Sequence, residues 1–270
     1  MQVRAVAFAI AVFLAAPQAQ PRTKDIVAAV TAYVGRYQRE FVQLVADEQT
    51  TQRVLTRGSV TATRESRGEL FSTFLDDSGA WMSLHDIQTV DGEPVTGRLD
   101  VRVLLRSHSI RELGPQLAAS NSRFNLGRVS RNFNEPTLAL LLFAPAHVRD
   151  LSIDRGARNV AADTAPLVTL RVRLGDDAPL VRSLTRRVTT RGTFLVEPDT
   201  GRVRRTTVTF DDGEVTAELD TSYDADAHIN VWVPVTFTER YAARKTAEVI
   251  EVRTTLTNYR RFETSGRIVP

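Results

Sequence analysis

Cysteine is absent from all 270 residues. No disulfide can form, no thiol can serve as nucleophile or metal ligand, and a lipid anchor through a modified cysteine is excluded. Lysine is scarce: Lys24 and Lys245 are the only two, so nearly every cation is an arginine, the residue that favours phosphate and carboxylate contacts. Even so, Lys+Arg exceed Asp+Glu by only three, no run of five or six like charges occurs, and the aromatics do not alternate with the arginines. Nucleic acid is therefore not an expected partner. Long apolar runs are missing beyond the N-terminus. The densest, Leu138 to Phe143, is stopped by Pro145 and falls well short of the roughly 20 residues that cross a bilayer, which leaves a membrane as a peripheral neighbour only.

The usual signatures of catalysis are missing too. There is no Gly-x-Ser-x-Gly elbow, no Ser-x-x-Lys and no glycine-rich phosphate loop. The four histidines, His85, His108, His147 and His228, have no second histidine at metal-site spacing. Asp224-Ala225-Asp226-Ala227-His228 has the composition to turn three ligands toward an ion, but it reads better as a polar loop between strands, having no glycine at a ligand-loop position. The acidic pairs Asp76-Asp77, Asp176-Asp177 and Asp211-Asp212 fall where turns are wanted. No catalytic residue, metal ligand or cofactor is expected.

What is present begins with an export signal. Arg4 precedes an apolar stretch from Ala5 to Ala16 and a small-residue region, Pro17-Gln18-Ala19-Gln20, which reads as a signal peptide over 1–19. The remaining 20–270 suit one domain, exported to the periplasm or beyond, with enough chain to bury a core unaided. From Thr23, which can cap the start, Ile26, Val30, Tyr33, Tyr37, Phe41 and Leu44 form the stripe of an amphipathic helix that gives out near Asp47-Glu48. Thr50 to Thr56 and Glu69 to Leu75 read as strands, Arg57 to Gly68 is polar and weakly patterned, and Asp91-Gly92 marks a hairpin. Leu99 to Phe124 turns helical, with Ser109 and Glu112 in capping-box spacing and Gly114-Pro115 as a break or fresh start.

Pro136 opens a short helix whose Leu138, Leu140, Leu141, Leu142 and Phe143 demand burial. Val148 to Asp154 and Leu167 to Leu174 are candidate strands around a loop at Arg155 to Pro166. Gly192 to Phe262 is a meander of five strands, with a hairpin at Pro198-Asp199-Thr200-Gly201 and a two-residue primed turn at Asp212-Gly213. Val215, Ala217, Leu219 and Tyr223 alternate with polar residues, and so do Val231, Val233, Val235 and Phe237. Pro234 puts its strand at an edge or on a bulge. The fold class is α+β: an antiparallel sheet with an N-terminal helix and inserted helices.

The order of these elements, with a meander reading Phe194-Leu195-Val196-Glu197-Pro198-Asp199-Thr200-Gly201-Arg202-Val203-Arg204-Arg205, resembles the superfamily of outer-membrane lipoprotein-sorting proteins. That resemblance implies a strongly curved sheet, a half-open barrel around helices, with an apolar cavity for acyl chains or a sensor built on the same scaffold. It carries over no ligand-contacting residue. The chain also looks like exported bacterial proteins that share a Val45-Ala46-Asp47-Glu48-like segment and an Asn134-Glu135-Pro136-Thr137-Leu138-like segment, a likeness that brings no function with it.

The expectation is a noncatalytic carrier or sensor that binds a lipid or lipoprotein acyl chain on the concave face, at Leu138, Leu141, Phe143, Phe194, Leu219, Val235 and Phe237. The same residues also read as ordinary core, and both readings stay open. The alternatives are an envelope protein-interaction module without small ligand, using a sheet edge near Pro234 or an arginine-rich surface, and an unrecognised hydrolase if a histidine converges with carboxylates.

Overall fold

The computed structural model describes residues 21–129, 131, 135–159, 166–175, 179–182 and 186–262, the side chains of 157–159 apart. The signal-peptide region 1–19, Asn134 and the acidic pair Asp176-Asp177 lie outside the described residues.

Helix α1 (Thr23–Glu40) buries Ile26, Val30, Tyr33, Val34 and Tyr37 along one stripe. Thr23 does not cap it: Arg22 holds the cap position, and its guanidinium pairs with Asp25 in the first turn. The helix also ends earlier than expected. Phe41 closes it, and Leu44 already belongs to strand β1 (Leu44–Thr56), so Asp47 and Glu48 are strand residues. The helical spacing ran on because the inward face of the strand continues the apolar side of the helix.

The sheet comprises β1, β2 (Ser59–Leu75), β3 (Ala80–Val90), the two-residue β4 (Glu93–Pro94), β5 (Leu151–Asn159), β6 (Leu167–Leu174), β7 (Thr189–Val196), β8 (Val203–Asp211), β9 (Val215–Asp226), β10 (Val231–Ala243) and β11 (Glu248–Arg261). Its order is β4-β3-β2-β1-β11-β10-β9-β8-β7-β6-β5, every described pairing is antiparallel, and the two edges stay open. The five-strand meander is β7 to β11, and β1 pairs with β11, joining the two ends of the chain. Arg57 to Gly68, polar on both sides, forms the outer half of β2 after a turn at Arg57 and Gly58, both with positive φ. The loop expected at Arg155 starts later, since β5 runs to Asn159.

Pro234 sits on β10, an interior strand, and the β9–β10 register shifts between Pro234 and Thr236. Of the two roles open to it, the bulge is the one taken, so the sheet offers no edge there. The Asp212-Gly213 turn is also different: three residues, Asp212 to Glu214, connect β8 to β9, and Asp212 Oδ1 accepts from the N–H groups of Glu214 and Val215.

One ring demonstrates the curvature. Tyr37 of α1 lies 5.8 Å from Trp81 on β3 and 6.5 Å from Tyr223 on β9. Five inter-strand spacings separate β3 from β9, which in a flat sheet would be about 24 Å. The sheet therefore curls around α1. At the opposite end of the helix, Gly201 takes a positive φ of 70° in the β7–β8 turn, and a Cβ there would run into the backbone of Ala29.

The segment after Pro136 is a 3₁₀ turn, Leu138–Phe143, rather than an α-helix, and it packs between α1 and the sheet. Helices α2 (Val101–Leu104) and α3 (Ile110–Ser122) cover the other face of β1–β3. There Val45, Phe71 and Leu84 join Val101, Leu105, Ile110, Leu113 and Leu117 in a second apolar cluster. Leu44, Ala46 and Leu70, their neighbours in sequence, and Trp81, three residues before Leu84, face the main core. The Ser109–Glu112 capping box opens α3, and the helix passes through Pro115 without a break.

Candidate functional site

Strand alternation places a set of side chains on the concave face of the β3 half of the sheet. Glu48, Thr50 and Gln52 on β1, Trp81, Ser83 and His85 on β3, Phe237 and Glu239 on β10, and Thr254 and Leu256 on β11 each follow at i, i+2 spacing. They line a cavity of about 300 Å³, closed at the side by Leu117, Ala118 and Asn121 of α3 and by Arg131, Glu135 and Pro136.

Its polar groups form an ordered network. His85 Nδ1 donates to the Glu48 carboxylate, 2.9 Å from each oxygen, although β2 runs between their strands. The β2 residue opposite Glu48 is Gly68, so no side chain intervenes. Asn121 of α3 donates to the His85 carbonyl at 2.7 Å. Gln52 accepts from the Leu126 N–H at 3.1 Å and from Arg131 Nη2 at 2.6 Å, and donates to the Phe124 carbonyl at 3.2 Å. Glu135 accepts from Ser83 Oγ at 2.7 Å and from the Thr137 hydroxyl at 2.6 Å. Thr221 and Tyr223 donate to the Pro136 carbonyl at 2.8 and 3.1 Å, which fixes this strap to β9. Glu239 accepts from the Tyr241 hydroxyl.

Burial dominates the electrostatics. It pushes the Glu135 carboxyl above the ordinary glutamate value, with hydrogen bonds from Thr137 and Ser83 opposing. It raises Glu239 in the same way, against the pull of the Tyr241 hydroxyl and Arg131, and it lowers the Arg131 guanidinium. Two donors remain unused. Trp81 Nε1 and Arg131 Nε, on side chains more than nine-tenths buried, have no hydrogen-bond partner among the described residues.

Beyond Glu239 and Arg131 the same face opens into a second hollow of about 470 Å³. Phe210, Ala217 and Tyr241 form its floor, Val129, Val181 and Val188 its walls, and Arg128, Arg182 and Lys245 stand at its rim with Asp212 and Glu214. Tyr241 is two residues along β10 from Glu239, and the Arg131 guanidinium lies 6.0 Å from its ring. The polar cavity and the apolar hollow are thus neighbours divided by Arg131 and the β10 pair.

The chain is similar to several solved structures over most of its length. An outer membrane lipoprotein-sorting protein domain from Vibrio parahaemolyticus has 10% identity over 86% of this chain and 90% of its own, with a TM-score of 0.42. A LolA superfamily protein from Nitrosomonas europaea has 12% identity over 90% and 95%, with a TM-score of 0.34. A DUF1329 family protein from Desulfovibrio piger has 12% identity over 88% and 93%, with a TM-score of 0.41. No protein-family profile and no curated protein matches the chain.

The residues expected to bind a ligand are distributed unevenly. Leu141, Phe143, Phe194 and Leu219 are buried in the main core, with the Phe143 and Phe194 rings 4.9 Å apart, edge to face. Leu138 and Val235 are partly buried against the same cluster. Of the seven, Phe237 alone lines the polar cavity.

The polar set was not singled out as a site. One signal was available: extending the inward alternation of Phe237 by two residues puts a carboxylate, Glu239, on the apolar side. Two other carboxylates, Glu48 and Glu135, lay in the segments Val45-Ala46-Asp47-Glu48 and Asn134-Glu135-Pro136-Thr137-Leu138. Asp226 in the acidic loop accepts from the N–H groups of His228 and Ile229, and Asp76 and Asp77 lie in the β2–β3 turn. Among the described residues, no three groups are placed to hold a metal ion.

Proposed function

We propose that this protein is a noncatalytic, exported carrier or sensor, built as one domain, that binds an acyl chain on the concave face of its sheet. The observation that carries this reading is the apolar hollow of about 470 Å³ floored by Phe210, Ala217 and Tyr241, which lies within the range of ligand sites. At about 0.8 kcal/mol per buried methylene, half of an acyl chain supplies several kcal/mol without any polar motif. A lipid or the acyl part of a lipoprotein is the ligand class. Leu138, Leu141, Phe143, Phe194, Leu219 and Val235 do not line this hollow and pack in or against the main core, while Phe237 borders the polar cavity. No helix of the described residues is long and apolar enough to cross a membrane.

The test is displacement of a fluorescent fatty-acyl probe from the purified protein. Ala243 lines the hollow and is only half-buried, so Ala243→Trp plugs the space without disturbing the core. The wild type should bind the probe saturably and the variant should not. Equal binding by both places the chain elsewhere and sinks the reading.

A hydrolase is the second reading, favoured by the convergence of His85 with Glu48 and by the presence of Glu135 and Glu239 in one cavity. Ser83, whose hydroxyl donates to Glu135 at 2.7 Å, stands in the same cavity as a nucleophile with a carboxylate acceptor. Turnover of p-nitrophenyl esters that is lost in Glu48→Gln, with the fold intact, would favour the hydrolase.

A further inference from the structure

We propose that the polar cavity holds the head of the bound amphiphile, and that this head is an uncharged polyol: a glyceryl group or a single sugar ring. The inference rests on the carrier reading and adds the chemistry of the ligand's buried end.

Three observations lead there. The first is charge balance. The cavity wall carries Glu48, Glu135 and Glu239 as acids, with Arg131 and His85 interleaved among them, Glu48 bound to His85 and Arg131 set over the Tyr241 ring beside Glu239. An anionic head, phosphate or carboxylate, meets buried carboxyls, and an ammonium meets Arg131. Either would be buried against a like charge.

The second is the set of unused donors. Trp81 and Arg131 line the cavity, their Nε1 and Nε are buried with no partner among the described residues, and a buried donor left unsatisfied is costly. They call for oxygen acceptors, and the carboxyls of Glu48, Glu135 and Glu239 in the same wall disfavour an anionic one. Glu48 and Glu239 on the facing strands are acceptors in turn, so the occupant must present both O–H donors and oxygen acceptors within one small volume, as vicinal hydroxyls do. Trp81 and Phe237 add apolar surface for the carbon skeleton of such a group.

The third is size and position. About 300 Å³ gives room for about ten water-sized groups at ~30 Å³ each, which suits glycerol or one sugar ring. The acyl hollow begins on the far side of Arg131 and Tyr241, so head and chain of one molecule can occupy the two spaces together.

The experiment compares ligands of one chain length with different heads, titrated below their micelle thresholds by calorimetry: decyl glucoside, 1-decanoylglycerol, decanoate and decylammonium, with glucose and glycerol as chainless arms. The two polyol amphiphiles should bind at least about tenfold more tightly than the two charged ones. Trp81→Phe removes one unused donor and keeps an aromatic ring at the site, so it should reduce that preference and leave decanoate unaffected. Glucose or glycerol binding as well as the decyl forms keeps the polyol chemistry, identifies a free polyol as its source, and removes the acyl carrier. Decanoate binding most tightly, and weakened by Arg128→Gln at the rim, overturns the polyol head and leaves the carrier standing. Binding of none of them overturns both.

Discussion

Glu48 on β1 and His85 on β3 are joined across an intervening strand, with His85 Nδ1 2.9 Å from both carboxylate oxygens. The contact depends on a missing side chain at Gly68 and on the sheet's curl, and it ties the concave face together where the cavity begins. Glu48 is almost fully buried and His85 largely so, which takes the pair out of the weak surface class.

Removing one partner should therefore be expensive. Glu48→Ala is expected to cost about 3 kcal/mol in urea unfolding, since it removes the carboxylate that pairs with His85 Nδ1 in a largely buried site. Glu48→Ala with His85→Leu should recover part of that loss. A double variant no better than the single one contradicts a direct pairing.

The buried carboxyls predict a pH dependence with a definite sign. Burial raises Glu239 above its ordinary value of 4.5, and Glu135 moves the same way. A carboxyl raised in the folded state contributes stability that is fully present below its unfolded-state value and is lost as pH rises through the folded-state value. Glu239→Gln cannot ionise. Its stability relative to wild type should therefore improve as pH is raised from about 4 to neutrality. A difference that is constant over that range contradicts the burial of an ionisable Glu239.

Gly201 is held by two constraints at once: a positive φ and the backbone of Ala29 where a side chain would begin. Gly201→Ala should lose at least about 2 kcal/mol, because neither the turn nor α1 can yield without giving up core contacts. Gly213 shares the positive φ but has open space around it, so Gly213→Ala should cost only about 1 kcal/mol. Equal losses at the two positions contradict the close approach of α1 to the turn.

The 3₁₀ turn offers a contrast within the core. Leu140 is fully buried, whereas Val60 on the outer half of β2 is 54% exposed. Leu140→Ala should cost about 2–5 kcal/mol and Val60→Ala less than about 0.5 kcal/mol, read from urea midpoints.

Local chemistry was legible in the sequence where one element contained all of it. Asp91-Gly92 forms its hairpin with positive φ at both residues, the Ser109–Glu112 box caps α3, and the five strands of the meander lie where alternation put them. Boundaries were less legible. Leu44 continued the helical stripe because strand and helix bury the same face, and Arg57 to Gly68 hid a strand because the outer β1–β2 hairpin has little to bury. The polar cavity could not be read as a site at all. Glu48, His85, Glu135 and Glu239 are separated by up to 191 positions, and only the curl of the sheet and the strap at Pro136 bring them together.

The measurement that bears most directly on the account is native mass spectrometry of the full chain purified from an exporting host, with organic extraction of whatever copurifies. The account predicts an acyl-bearing molecule at one copy per chain, present in the wild type and absent from Ala243→Trp. Clean protein that also declines added acylglycerols, or a bound lipid retained by Ala243→Trp, would contradict it.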